Sequence, residues 1–158
     1  MPNKTTEEIA FEVNNSNKKL IFVVGYLDNF TAHNFANDND YSHLEFEHFL
    51  KVNNIDSRYF KETDKSRQTT IPISIESWTQ KIAYQEQKDT VVINGFNPQA
   101  LPDLLTKSLL MQELLYLSKN DYRLKTNLVF FINLTNGALE EQILPKILQN
   151  SKIINLLK

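Results

Sequence analysis

The chain has 158 residues with a formal net charge of −2, and 41% of its residues are hydrophobic. This length is typical of one globular domain with a substantial core, and the small negative charge excludes an overall basic surface that would attract nucleic acid or anionic membranes. The lack of cysteine excludes disulfides, thiolate metal sites and a cysteine nucleophile, and it fits a reducing cytoplasm, which is the predicted location.

The chain begins with a segment that fits either a helix or a strand. Thr5 and Glu8 have the spacing of a capping box, which predicts a short helix with Ile9, Ala10 and Val13 on one face. A strand in which Ile9, Phe11 and Val13 alternate with polar residues is the other interpretation.

The apolar run over 19–24, closed by Gly25, is the segment around which the other elements are arranged. Its β-branched and aromatic residues predict a strand that is buried on both faces, as in the middle of a parallel sheet. A weak helix over 30–37 is predicted to follow, with Asn29 as its cap.

The next segment is ambiguous between a strand and a helix. Leu44 and Phe46 alternate as in a strand, although the surrounding apolar residues also lie near helical spacing. We favour a strand over 42–50. Residues 53–70 are polar and charged, which predicts a surface excursion with a short helix near 58–61.

The second half of the chain alternates between helices and continuously apolar strands. A helix capped by Ser74 or Ser77 is predicted to end near Gln87. The other predicted elements are a strand over 90–95, a helix over 101–119, a strand over 128–134, a helix over 139–149 and a last strand over 152–157. Pro145 lies inside the last helix and should kink or divide it.

The helix over 101–119 has the clearest helical pattern. Leu105, Leu109, Gln112 and Tyr116 follow one another at helical spacing. Because leucines cover more than half of its circumference, we expect the helix to be sandwiched between other elements.

Strands that alternate with helices predict an α/β domain with a mostly parallel, five-stranded, doubly wound sheet between two helical layers. In such sheets ligands bind beyond the carboxyl ends of the strands. The loops of interest are therefore 25–31, 94–98 and 135–137.

The segment after the first buried strand has the position of a phosphate-binding loop but not its chemistry. Such a loop needs several glycines, a lysine and a hydroxyl. Here Gly25 is the one glycine, lysine is missing, Asp28 would repel phosphate, and only Thr31 could serve as the hydroxyl for magnesium. Asn94 stands where acids would hold magnesium, and we interpret it as a strand-end asparagine that bonds to nearby backbone.

Histidines 33, 43 and 48 raise the question of a metal site. On a strand, His43, Glu45 and Glu47 would share one face, but no known ligand spacing emerges, and a solvated polar face is the favoured interpretation. No metal site is predicted.

One local basic cluster is a candidate for contact with nucleic acid, and it consists of Arg58, Lys61, Lys65 and Arg67. Neighbouring acids dilute its charge, so a solvated loop is favoured. No apolar run approaches the roughly 18 residues that span a bilayer. The first residues lack the apolar core of a signal peptide, so no membrane contact is predicted.

In this order the elements resemble the core domain of an AAA+ ATPase, most of all the delta and delta-prime subunits of the DNA polymerase III clamp loader. The likeness rests on the run 18–25 behind a short helix, on the leucine-rich helix 101–119, and on the segment 128–136. The last segment and the stretch after it are similar to the family's sensor strand ending in Thr-Asn, its leucine-proline helix and its closing strand. Asn136 would match the sensor asparagine.

The resemblance implies one P-loop NTPase-like domain over 1–158. The helical lid and collar domains of such subunits are missing, so the chain is either a fragment of a longer protein or a stand-alone remnant. The phosphate-loop lysine and the second-strand acids are also missing, and no arginine finger is present at Gln149 or Asn150.

Some clamp-loader subunits lack the phosphate loop and act as structural members, so the resemblance implies a non-catalytic domain. Its partners would be other protein subunits in a DNA-replication or other nucleic-acid assembly, and no cofactor is expected. The candidates for nucleotide contact are Gly25, Asp28, Thr31, Asn94 and Asn136. The alternative is a small-ligand-binding or enzymatic doubly wound domain with an unrecognised site at the same strand ends.

Overall fold

The chain forms a five-stranded sheet with helices on both faces in a computed structural model, which describes residues 6–25, 29–46, 75–95, 104–133 and 144–156. The strands are β1 (Leu20–Gly25), β2 (Ser42–Glu45), β3 (Thr90–Asn94), β4 (Asn127–Asn133) and β5 (Lys152–Asn155). The helices are α1 (Thr6–Asn14), α2 (Asn29–Asp38), α3 (Ile75–Glu86), α4 (Leu104–Lys119) and α5 (Leu144–Gln149), with a 3₁₀ turn at Asp121–Arg123.

The strand order is β2-β3-β4-β1-β5, and every pair of neighbouring strands is parallel. This confirms the predicted doubly wound α/β sheet. β1 lies between β4 and β5, with Leu20 opposite Leu128 and Gly25 opposite Asn133. All six residues of β1 are buried, as the apolar run predicted.

The helices divide between the two faces of the sheet. Alternate residues of β1 point to opposite layers: Phe22 packs with the core below α3, α4 and α5, and Val23 packs with α1 and α2. The division follows from the crossovers. The connection from β1 to β2 runs across the sheet in the opposite direction to the three later connections, so right-handed crossovers place α2 on the other face from α3, α4 and α5.

The start of β1 is held by a buried carboxylate. Asp121 is 6% exposed, and its Oδ2 accepts a hydrogen bond from the backbone N–H of Lys19 at 2.5 Å. The Lys19 ammonium in turn donates to the carbonyl oxygen of Leu124 at 2.7 Å. These bonds fasten the segment before β1 to the turn before β4, and they help to set the register between β1 and β4.

The first segment is a helix, and the alternating-strand interpretation is wrong. Ile9, Ala10 and Val13 are buried against the sheet, whereas Phe11 is 68% exposed. A strand would have placed Phe11 on the same face as Ile9 and Val13.

The predicted strand over 42–50 is too long. β2 ends at Glu45, and Phe46 is helical. β2 is an edge strand whose one neighbour, β3, ends at Asn94 opposite Glu45. Gly95, the next residue after β3, has a φ of +76°, so among the described residues β3 offers Phe46 no partner in register. Residues 47–50 lie outside the described part of the chain, as does the polar excursion over 53–70.

α4 is a helix, as predicted, and the described side chains of its second half form one buried and one exposed side. Met111, Leu114 and Leu117 are buried, whereas Gln112 is exposed and Tyr116 is 48% exposed. α4 therefore does not bury this side of its surface. Leucines all round the helix left its buried face undetermined, and packing against the sheet selected it.

The described part of the last helix runs from Leu144 to Gln149. Residues 139–143 of the predicted helix lie outside the described part of the chain, so the expected effect of Pro145 stays a prediction. The other predicted elements begin and end within a few residues of the observed ones, as far as the described residues extend. None of the described helices has the length and apolarity needed to cross a membrane.

Candidate functional site

The candidate site is the carboxyl edge of the sheet, which is the edge where all five parallel strands end. The crossover after β1 leaves toward α2 on one face, and the crossover after β4 leads to α5 on the other face. Because β1 and β4 are neighbours, Gly25 and Asn133 lie at a topological switch point, where open α/β sheets form a crevice for ligands.

The strand order excludes two familiar nucleotide-binding arrangements. The dinucleotide-binding order 3-2-1-4-5-6 and the flavodoxin-like order 2-1-3-4-5 both place the first two strands side by side. Here β1 instead contacts β4 and β5, and β2 lies at the far edge. A switch point between β1 and β4 makes the link from β1 to α2 the natural position for a phosphate loop.

That link cannot form a phosphate loop of the usual pattern. α2 begins at Asn29, so three residues separate it from β1. If Gly25 were the first glycine of the pattern, Phe30 would take the place of the second glycine and Thr31 that of the lysine. The magnesium-binding hydroxyl would fall on Ala32, which is fully buried between α2 and the sheet. The position is part of the core.

The residues predicted for the site are only partly covered by the structure. Gly25 is buried at the end of β1, and Thr31 belongs to α2, although its side chain lies outside the description. Asp28 and Asn136 also lie outside the described residues. So does the basic cluster of Arg58, Lys61, Lys65 and Arg67.

Asn94 is 3% exposed at the end of β3, and its amide Nδ2 donates to Oε2 of Glu45 at 3.3 Å. The two residues are register partners on β2 and β3. The amide therefore bonds to a carboxylate on the neighbouring strand, whereas the sequence predicted a bond to backbone. Asn94 carries no charge, so Glu45 supplies the carboxylate at this end of the edge.

Two histidines lie beside this pair on the same face. The ring centroids of His33 on α2 and His43 on β2 are 5.1 Å apart with an interplanar angle of 75°. Nε2 of His33 lies 3.0 Å from Nδ2 of Asn37, whereas the buried Nε2 of His43 has no hydrogen-bond partner among the described residues. Burial lowers the pKa of His43, the neighbouring His33 lowers it further, and Glu45 acts in the opposite direction.

The polar residues of this edge can bind or orient a ligand, but the described ones do not form a metal centre. Within the described ranges, no three histidine, aspartate or glutamate side chains are placed to hold a metal ion together. His48 and Glu47, the other members of the predicted polar face, lie outside those ranges. The lowered pKa of His43 favours its neutral imidazole, and Glu45 is exposed to solvent.

The pairing of Glu45 with Asn94 is what sequence reasoning missed. Both residues end a strand, but nothing local in the sequence indicates that β2 and β3 are neighbours in this register. The chain matches no protein family, no curated protein and no solved structure. Its function is therefore inferred from its residues and its fold.

Proposed function

We propose that this chain is a cytoplasmic, non-catalytic AAA+-like domain that acts through protein–protein contacts in a DNA-replication or other nucleic-acid assembly. The observation that carries the proposal is the carboxyl edge of the sheet. The fold keeps a switch point at Gly25, but Ala32 is buried where a magnesium-binding hydroxyl would lie, and Asn94 stands in place of an acid.

Phosphoryl transfer is mainly a problem of charge stabilisation, which explains why these replacements argue against hydrolysis. The transferred phosphate needs a lysine and a magnesium ion to neutralise the charge that develops in the transition state. The sequence from Gly25 to Ala32 contains no lysine. The Asn94 amide, whose Nδ2 donates to Glu45, is uncharged and cannot neutralise a metal ion as an aspartate in its place would.

The class of partner follows from the resemblance to clamp-loader delta and delta-prime subunits, which supports other AAA+ or replication proteins as partners. The strand order also supports this resemblance. β1 lies second from one edge of the parallel sheet and beside β4, so the switch point between β1 and β4 lies at the carboxyl edge. Contact with nucleic acid through Arg58, Lys61, Lys65 and Arg67 is a minor part of the proposal.

Isothermal titration with ATP and magnesium, followed by an assay of phosphate release, tests the non-catalytic part. We expect no turnover and no binding tighter than about 1 mM. Micromolar binding together with phosphate release would overturn the proposal. The same titration on Glu45→Gln removes the carboxylate that bonds to Asn94. Because Glu45 is exposed, the variant should remain folded.

Affinity capture from the source cell, with cross-linking and mass spectrometry, tests the partner. We expect cross-links to proteins of a replication or other nucleic-acid assembly. Capture of only metabolic enzymes would overturn this part of the proposal while leaving the lack of hydrolysis intact. A tagged Phe11→Ser variant, changed at an exposed aromatic residue of α1, shows whether that helix lies in the contact.

A second candidate function is small-ligand binding at the same edge, and the Glu45–Asn94 pair favours it. A buried amide held by an exposed carboxylate is a polar arrangement that can orient a hydroxyl or amine. Ligand binding without turnover that Glu45→Gln weakens would support this function over the first.

A further inference from the structure

A basic surface lies at the amino edge of the sheet, around the 3₁₀ turn that joins α4 to β4. The segment before β1 packs on this turn, because the Lys19 N–H donates to Asp121 and the Lys19 ammonium donates at 2.7 Å to the carbonyl oxygen of Leu124. The fold therefore gathers the cations of two distant segments into what we call the amino-edge surface. Its members are Lys119, Arg123 and Lys125, which are exposed, and Lys18 and Lys19, which are partly buried.

Most of this positive charge has no acidic partner in the part of the chain that the structure describes. Nζ of Lys18 lies 3.7 Å from Oδ1 of Asp121, so this carboxylate offsets one of the five cations. None of the described carboxylates forms an ion pair with the other four. The ammonium of Lys19 and the guanidinium of Arg123 instead donate to neutral oxygens, those of Leu124 and Tyr116. Such hydrogen bonds hold the side chains in place and leave their charge uncancelled.

The other acids near the amino edge do not reverse this balance. Glu86 bonds to Ser42 at the start of β2, which is two strands away from β4. Asp89 precedes β3, and its carbonyl oxygen accepts from the N–H of Asn127 at 2.9 Å, so its carboxylate is counted against the surface. Five cations then face two carboxylates, and the carbonyl end of α4 adds about half a negative charge. The excess remains positive and attracts anions. Two further acids, Glu12 and Asp40, form ion pairs with Lys152 and Lys88.

Two exposed aromatic rings stand among these cations. Tyr122 is 75% exposed and directly precedes Arg123 in the turn. Tyr116 is 48% exposed, its hydroxyl accepts a hydrogen bond from Nη1 of Arg123, and its ring centre lies 5.8 Å from the guanidinium carbon. Tyr116 therefore positions the guanidinium and leaves its other N–H groups for an anion. Exposed rings beside cations give bases a surface to stack on, which favours a nucleic acid over an acidic protein.

We propose that the amino-edge surface binds single-stranded nucleic acid, with phosphates contacted by Lys119, Arg123 and Lys125. A base stacks on Tyr122. Cationic groups contact backbone phosphates without reading sequence, and base–aromatic stacking tolerates every base, so binding is independent of sequence and sensitive to salt. The inference does not rest on the function proposed for the carboxyl edge, and it can hold or fail whatever the titration with ATP shows.

Fluorescence anisotropy with a labelled oligothymidine of about 12 nucleotides tests the proposal, because this length fits the usual site size of a single-strand groove. Three phosphate contacts predict that the logarithm of the binding constant falls against the logarithm of the salt concentration with a slope of about −2. Lys125→Gln and Arg123→Gln should each make the slope shallower by about 0.7, the contribution of one phosphate. Arg123→Lys keeps the charge and should retain the slope.

The stacking part is tested at Tyr122. Tyr122→Ala should weaken binding roughly ten-fold at unchanged salt slope, and Tyr122→Phe should retain the affinity, because stacking needs the ring and not the hydroxyl. Lys146→Gln is the matched control, since it removes one exposed lysine from α5, outside the amino-edge surface. The substituted side chains are all exposed, so urea unfolding should show the variants to be as stable as the wild type.

Three results would overturn the inference. Binding that is undetectable at low salt would remove it outright. An equal loss in Lys146→Gln and Lys125→Gln would show a general charge effect with no site. Competition by a polyglutamate peptide as effective as that by the unlabelled oligonucleotide, with no effect of Tyr122→Ala, would assign the surface to acidic proteins.

Discussion

The pairing of β1 with β4 can be tested through two stacked rings in the middle of the sheet. Phe22 and Phe130 are both fully buried, are register partners, and have ring centroids 5.2 Å apart with an interplanar angle of 24°. We consider the variants Phe22→Leu and Phe130→Leu and the double variant. Aromatic pairs of this geometry are worth about 0.5–1.5 kcal/mol beyond the area that they bury.

Each single substitution should lower the free energy of unfolding by about 1 kcal/mol, which is typical of a buried change that keeps an apolar side chain. The double variant should lose about 0.5–1.5 kcal/mol less than the sum, because the stack can be lost only once. Urea unfolding measures the free energy of unfolding of all three variants. If the slope of this free energy against urea concentration is the same as in the wild type, the differences report stability alone.

A second set of single and double variants controls for a general loss of packing in the core. Ile93 on β3 is the register partner of Phe130, so β4 separates it from Phe22. Two strand spacings place the backbones about 10 Å apart, and Phe22→Leu combined with Ile93→Val should be additive within about 0.5 kcal/mol. Coupling in this set and additivity in the first would refute the strand order, and with it the switch point at Gly25.

Two further predictions concern buried polar groups. Asp121→Ala should lower the free energy of unfolding by about 2 kcal/mol, because it leaves the Lys19 N–H without its charged acceptor. Asp121→Asn should lower it by less. Equal losses of the two variants in urea unfolding would contradict this account. Burial and His33 hold the folded-state pKa of His43 below the unfolded value, so stability is full above about pH 6.5 and falls as the pH drops below it. The fall should be smaller in His43→Gln, and an unchanged fall in acid titrations monitored by circular dichroism would contradict the assignment.

Much of the secondary structure could be predicted because its signals are local. The β-branched and aromatic run that became β1 has too few polar residues for any exposed strand, and the spacing of Ile9, Ala10 and Val13 fits a helix with a buried face. The predictions failed where local patterns were degenerate. Leucines all round α4 did not indicate which side of the helix is buried, and Phe46 continued an alternation that β2 does not, since β2 ends at Glu45.

The candidate site was predictable only in part. A chain with no lysine between Gly25 and Ala32 cannot build the usual phosphate loop in any fold, so the sequence alone established that missing chemistry. It did not establish which groups lie near Asn94, because the partner, Glu45, is 49 positions away along the chain.

The amino-acid order by itself determined the type of most elements, the parallel α/β class and the lack of phosphate-loop chemistry, since these depend on composition and on spacings of a few residues. Only the tertiary structure decided that β1 lies between β4 and β5, that Asn94 meets Glu45, and that Lys19 meets the turn at Asp121. These contacts join residues far apart in the chain, and they arise because burying both faces of the sheet selects one strand order and one register from many that the local patterns allow.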